Sequence, residues 1–415
     1  MTRKNAPVYI LGGSQSDFSR NWSREGLGLD ALMGAVLADG LDATRLEVGD
    51  IQCAHLGNFA AEKFCDQGMI GGIFASLDPD LSGIPTSRHE AACASGSMAI
   101  LSAAADIEAG RYDLVCVLGV EYMRNVPGET AARNLGLAAW AGKEWTDVRY
   151  VWPAAFSDLN DAYSEKFGVV DYRHLGEIAR INYENGKRNP NAQTRNWTFS
   201  DASFTENDEA NPVIEGKVRR FDCGQVTDGA AVIFLASEAR ARKYAQERGM
   251  MLSDLAKIDG WGHRTAPMLF ADKLKEARNS RFVLPQVHRT IQETFARAGI
   301  NDVFDLDAIE THDCFAMTEY AAIDSYGITA PGESWKAVEE GVIAPGGRLP
   351  VNPSGGLIGL GHPVGATGVR MMLDGWKQVT GNAGDYQVEG ARKVGLLNIG
   401  GSTTTIASFV IGAGE

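Results

Sequence analysis

The chain has 415 residues, enough for several domains and a large core, and its 44% apolar and 22% charged residues are ordinary for a globular protein. Its net charge of −14 argues against a general binder of nucleic acid or of anionic membranes. The six cysteines show no CxxC spacing and are too sparse for a disulfide framework, so a reducing, cytoplasmic setting and no bound metal are expected. The apolar run Val8–Leu11 is too short for a secretory signal, and no apolar run approaches a membrane span.

In chain order, Pro7–Gly13 reads as a buried strand ending in glycines, Leu27–Leu37 as a helix and Ile51–Leu56 as a strand. Arg88–Ile107 crowds small residues around Cys93, then runs helically to Gly110, which suits a C′ position. Leu114–Val120 is a wholly apolar strand. Strand, helix and strand in this order predict a βαβ unit within a layered α/β domain. From about Val126 the character changes, and Trp140, Trp145, Trp152 and Trp197 stand among polar residues. Here Arg180–Arg195 carries four basic residues and one acidic one. That local excess is either a solvated face or a place for a phosphorylated ligand.

Regular structure resumes with a strand at Asp228–Ser237, a helix at Ala239–Glu247 and a strand at Leu255–Gly260. A helix at Pro285–Ala298, a strand within Ala308–Phe315, a helix at Met317–Tyr326 and strands within Lys393–Phe409 follow. Between the last two lies Asn352–Gly368, NPSGGLIGLGHPVGATG. Its glycines let the backbone take positive φ and pass close to a ligand or another chain. It sets one imidazole, His362, on a tight loop that opens a helix from Ala366, with Val369, Met371, Met372 and Trp376 as candidate buried positions. The alternative is a glycine-rich connector whose histidine caps a neighbour.

The two halves share a rhythm of a short strand ending in glycine, a reactive residue at a helix start and an apolar closing strand. The organisation expected is residues 1–125 with 211–250 as one half, 251–415 as the other and 126–210 as an insertion.

Cys93 sits where a helix dipole and free N–H groups can stabilise a thiolate, though a small buried cysteine also suits tight helix packing. Cys314, in THDCF, follows an apolar strand, and His312 shares its face if the strand persists. A thiol there can exchange protons near neutral pH, or be an edge cysteine beside a capping Asp313. Asn398–Thr405, NIGGSTTT, ends a strand in glycines whose N–H groups suit half of an oxyanion hole.

Together these residues resemble the thiolase family, and within it the thiolases related to the sterol-carrier-protein thiolase. ACASGS around Cys93 is similar to the family's nucleophile motif, and GHPVGATG around His362 to its Gly-His-Pro motif. HDCF at His312–Phe315 is similar to that subgroup's variant of Asn-Glu-Ala-Phe, and KRNPNAQ at Lys187–Gln193 to a segment of the family's loop domain. One departure stands out. Most thiolases carry a second catalytic cysteine in Cys-x-Gly, where this chain has Asn398, Ile399 and Gly400.

The resemblance implies a duplicated five-layer αβαβα fold with an inserted loop domain. It implies CoA-dependent cleavage of a 3-oxoacyl-CoA, or the reverse Claisen condensation, through an acyl-enzyme on Cys93. His362 is then the base for Cys93, Cys314 the acid/base that replaces the missing thiol, and His312 a donor to the enolate. Cys93 and Gly400 supply backbone oxyanion donors. Coenzyme A is a substrate and not a resident cofactor. Its charge makes Lys187 and Arg188, then Arg219 and Arg220, candidate contacts. A homodimer or tetramer, and in some relatives an OB-fold companion subunit, also follow from the resemblance. Other readings of the motifs are an acyltransferase for a polyketide or aromatic acceptor, an aldolase-type relative, and a silent subunit of an acyl-CoA complex. Intact Cys93, Cys314, His312 and His362 count against the last two.

Overall fold

The computed structural model describes residues 6–414. Nine strands form one ladder: β1 (Val8–Gln15), β2 (Cys53–Gly57), β3 (Thr86–His89), β4 (Leu114–Glu121), β5 (Gly229–Ser237), β6 (Ala256–Thr265), β7 (Ala308–Thr311), β8 (Lys393–Gly400) and β9 (Thr405–Ala413). The principal helices are α1 (Leu29–Thr44), α2 (Ser95–Glu108), α3 (Val151–Phe167), α4 (Tyr172–Arg188), α5 (Glu238–Glu247), α6 (Phe270–Arg278), α7 (Pro285–Ala298), α8 (Ala316–Tyr326) and α9 (Thr367–Val379). None of the helices among the described residues is long and apolar enough to cross a membrane.

The strand order is β3-β2-β4-β5-β1-β6-β9-β8-β7. Within the ladder, the strands of the two halves pair where Tyr9 faces Lys257 and Ile10 faces Ala256. On each side of that seam the pattern repeats. Parallel pairs lie at the outer edge, β2 with β3 and β4 in one half and β8 with β7 in the other. Antiparallel pairs lie near the seam, β4 with β5 and β5 with β1, then β8 with β9 and β9 with β6.

Side-chain alternation along the strands builds the layers. In β5, Val232 and Phe234 face a core closed by Leu32, Met33 and Val36 of α1 and Ala241 of α5. Ile233 and Leu235 face the opposite core, which holds Ile100 and Ala103 of α2 and Val369, Met372 and Leu373 of α9. Phe409 and Ile411 of β9 enter that same central core, while Ile406 and Val410 face Val287 and Ile291 of α7 and Ile323 of α8. The result is five layers, helices–sheet–helices–sheet–helices. Strands covered on both faces need no polar alternation, which explains the unbroken apolar run of β4.

The chain leaves the first sheet after Glu121 and returns at Gly229. Within this excursion α3 and α4 bury Phe156, Leu159, Tyr163, Ile178 and Ile181 against Met317 and Tyr320 of α8. It is longer than 126–210, because residues 211–228 also stay off the main sheet and include a two-stranded ribbon at Val213–Glu215 and Val218–Arg219.

The central layer fixes the site. The N-terminal ends of α2 and α9 touch backbone to backbone. A Cβ on Gly96 would lie 2.9 Å from the Gly365 carbonyl oxygen and 2.9 Å from the Val369 nitrogen, and one on Gly368 would strike Ser97. Gly119 of β4 is equally constrained, 2.6 Å from the same Gly365 oxygen. Gly365 and Gly368 are absent from the positive-φ residues, so these glycines serve close approach and not an unusual backbone angle. Gly96→Ala is expected to cost about 1–3 kcal/mol, the usual range for overpacking. Urea unfolding measures it, and an unchanged midpoint would show that the two helix ends do not touch.

Candidate active site

Three loops bring the motifs to the start of α2, α8 and α9. Cys93 lies in a single 3₁₀ turn, Ala92–Ala94, that runs directly into α2. Ala92 has φ 51°, a left-handed conformation that costs a non-glycine residue energy. Hydrogen bonds hold it: Ala92 N–H donates to Glu90 Oε1 at 2.7 Å, and Ser95 Oγ donates to the Ala92 carbonyl at 2.6 Å.

His362 is held from both halves. Fully buried Glu121, at the end of β4, accepts from the N–H groups of Phe59 (2.9 Å), Ala60 (3.1 Å) and Gly365 (3.0 Å). Burial pushes its pKa up to about 7, against the pull of those three amides. On the other side, Asp313 accepts from Leu357 N–H at 2.6 Å, Ile358 N–H at 3.1 Å and Asn182 Nδ2 at 2.9 Å. Asp313 therefore ties HDCF to the glycine-rich loop and to α4; it does not cap α8, whose N-cap is Phe315. Because β7 ends at Thr311, His312 and Cys314 lie on a loop and not on one strand face.

The outcome is a tight cluster. The Cys93 sulfur and ring nitrogens of His312 and His362 all lie within 4.8 Å of one another. The two imidazoles meet edge to face, with centroids 5.4 Å apart at 84°. Their hydrogen bonds set their tautomers. Thr367 Oγ1 gives its proton to the Pro363 carbonyl at 3.0 Å, so at 2.7 Å it accepts from His362 Nδ1–H. His362 Nε2 is left as a buried lone pair with no partner among the described residues. Ser97 Oγ donates to Asn398 Oδ1 at 2.7 Å, and Asn398 Nδ2 donates to His312 Nδ1 at 3.1 Å. The His312 proton therefore sits on Nε2, as a donor.

Burial sets the resting charge. It pushes Cys93 up to about 12, against a backbone N–H from Gly401 that stabilises the thiolate. It pulls His362 down to about 3, helped by the Arg370 charge, and His312 well below its ordinary range. Burial, then the neighbouring Cys93 sulfur, holds Cys314 well above the usual thiol range. These shifts favour a neutral thiol and neutral imidazoles at rest.

Cys314 Sγ lies 3.7 Å from Thr318 Oγ1 and faces the same cavity as Cys93. That cavity, ≈ 290 Å³, has Cys93, Cys314, His362 and Gly401 among its lining, with Leu135, Trp152 and Phe156 contributed by the excursion. Gly401 lines it, whereas Gly400 faces backwards, where an added Cβ would strike the Ala91 carbonyl. The basic residues divide. Arg220 lines the cavity. Lys187 pairs with Glu184 at 2.7 Å and Arg219 with Asp208 at 2.7 Å. Arg188 bonds Asn185 and borders a separate cavity of ≈ 510 Å³ with Arg348. One further trio could hold a metal by spacing, Cys53, His55 and Asp106, but His55 Nε2 there already meets Asp106 Oδ2 at 3.2 Å.

Sequence reasoning passed over Thr367 and Ser97, and saw Asn398 only as a missing cysteine. Thr367 lay within the motif of His362, five residues on, and Ser97 within that of Cys93.

A family model described as thiolase, N-terminal domain, matches residues 8–196, and one described as thiolase C-terminal domain-like matches 271–413. An acetyl-CoA acetyltransferase of Methanothermobacter thermautotrophicus is 30% identical over 97% of this chain and 98% of its own length. Sterol carrier protein 2 of Homo sapiens is 26% identical over 98% of this chain and 72% of its own length. Among solved structures, an Ltp2-ChsH2(DUF35) aldolase aligns with a TM-score of 0.77 at 18% identity, covering 98% of each chain. Human mitochondrial 3-ketoacyl-CoA thiolase aligns with a TM-score of 0.72 at 15% identity, covering 98% of this chain and 99% of that one. This chain belongs to the thiolase family.

Proposed function

We propose that the chain is a thiolase-type acyltransferase that cleaves a 3-oxoacyl-CoA with coenzyme A, or runs the reverse condensation, through an acyl-enzyme on Cys93. One observation carries the reading: a sulfur and two imidazoles from opposite halves of the chain lie within 4.8 Å of one another. His362 Nε2 takes the Cys93 proton as the sulfur attacks the ketone carbon. The resulting oxyanion is held by backbone N–H groups, that of Cys93 with the Gly400–Gly401 segment, each donor worth roughly 10²–10³ in rate. The carbon–carbon bond breaks and its electron pair passes to the enolate of the departing acyl-CoA. His312 Nε2–H steadies the enolate oxygen, and the Cys314 thiol gives its proton to the carbon. A second CoA thiol attacks the thioester and gives its proton to the Cys314 thiolate. Cys93 leaves as a thiolate and recovers its proton from His362.

Asn398 explains why Cys314 carries the proton. The side chain at that position is engaged between Ser97 and His312, and it has no titratable group near neutrality.

Incubation with an acyl-CoA is expected to place one acyl group on Cys93, seen by mass spectrometry and absent in Cys93→Ala. An adduct elsewhere, or none, contradicts the reading. Cys314→Ala is expected to acylate still, but to exchange the α-protons of acetyl-CoA at least about 10²-fold more slowly, the low end for a lost acid/base group. Normal exchange would remove Cys314 from this role. For the phosphates of CoA, Arg220 comes first by its place on the cavity, before Lys187, Arg188 and Arg219. Arg220→Ala should raise the KM for CoA at least about tenfold, the low end of the worth of one charged hydrogen bond; an unchanged KM excludes it. We extend the proposal to a cytoplasmic homodimer or tetramer, open to an OB-fold companion, which sedimentation of the purified chain with and without cell extract tests.

A further inference from the structure

We propose that Lys273 is a positioning residue for Cys93, clamping the turn between β8 and β9 so that the Gly401 N–H stays aimed at the sulfur. Lys273 lies on α6 and is 5% exposed. Its Nζ donates to the Ser402 carbonyl at 2.7 Å, Ser402 Oγ at 2.6 Å, Thr404 Oγ1 at 2.8 Å and the Met268 carbonyl at 3.1 Å. Three of these four oxygens belong to the single turn that follows Gly400.

Buried ammonium groups are normally paired with an opposite charge. This one is directed at neutral oxygens. The carboxylates nearest it are engaged elsewhere: Glu144 accepts from the Phe270 N–H, and Glu276 accepts from Gln286. Burial pulls the Lys273 pKa down to about 7, and the Glu144 charge opposes that shift.

The turn itself needs holding. Gly401 and Thr403 both have φ 64°, and a β-branched residue in the left-handed region is an outlier that persists only when its surroundings fix it. Ser402 and Thr403 are buried beside the lysine. Gly401 is the residue immediately before Ser402, and it lines the cavity together with Cys93. A clamp on Ser402 therefore fixes the orientation of the peptide that faces the nucleophile.

The inference rests on Cys93 being the acylated residue. Alkylation of Cys93 by iodoacetamide needs no acyl transfer, however, so the two ideas can fail separately. Lys273→Met keeps the length of the side chain and removes its donors. It is expected to lower kcat for acyl-enzyme formation at least about tenfold, less than the full loss of an oxyanion donor, with the KM for the acyl-CoA within about twofold of wild type. Cys93 alkylation should slow by a similar factor. A lowered melting temperature with wild-type kcat and alkylation rate would show a purely structural role and overturn the proposal. Should Lys273→Met not fold, Ser402→Ala removes one acceptor and is expected to slow both reactions about threefold, the worth of one hydrogen bond. Wild-type rates in that variant overturn it as well.

Discussion

Two helix N-termini meet backbone to backbone at the centre of this fold, and only glycine permits it. Gly96 lies against Gly365 and Val369, and Gly368 lies against Ser97. Each helix carries its reactive residue just before its first turn, so their contact sets Cys93 beside His362. The layers outside serve that contact. Two sheets clamp α2 and α9 between them, and the residues of both sheets share one apolar core with the helices. Glu121 then bonds the loops of both halves at once, with amides from Phe59, Ala60 and Gly365 meeting on one carboxylate.

Burial gives the site its chemical character. A desolvated thiol and a desolvated imidazole both favour their neutral forms, so charge appears only as reaction proceeds. Fixed donors are most useful under that condition, because they meet a developing charge without having to reorganise. The hydrogen-bond network assigns unlike tasks to two similar imidazoles. Thr367 leaves His362 a free lone pair, whereas Asn398 leaves His312 a free N–H. In the proposed mechanism Asn398 acts through His312, and the acid/base thiol is that of Cys314 on another loop.

Much of this was legible in the sequence. The apolar run Leu114–Val120 and the segment Pro285–Ala298 read as the strand and the helix they form, and the Cys93, HDCF and GHP segments pointed to the candidate site through their resemblance to a family. What local pattern could not carry was direction. Of the glycines around His362, Gly355, Gly356 and Gly361 take positive φ, whereas Gly365 and Gly368 serve close packing of distant segments, and no local signature separates the two uses. The basic cluster of Arg180–Arg195 read equally as a solvated face or a place for a phosphorylated ligand; on α4, Arg180 and Lys187 pair with acidic neighbours three residues away. Arg220, isolated in the sequence, is the one that lines the cavity. Asn398 read as an absence because its partners, Ser97 and His312, lie 301 and 86 positions away in sequence.

The most direct measurement is a crystal structure of the chain carrying an acyl group. The account predicts the acyl carbon on Cys93 Sγ, its carbonyl oxygen beside the backbone N–H groups of Cys93 and the Gly400–Gly401 segment, and His362 Nε2 facing the sulfur. An acyl group on another residue, or a His362 ring turned away from Cys93, would contradict it.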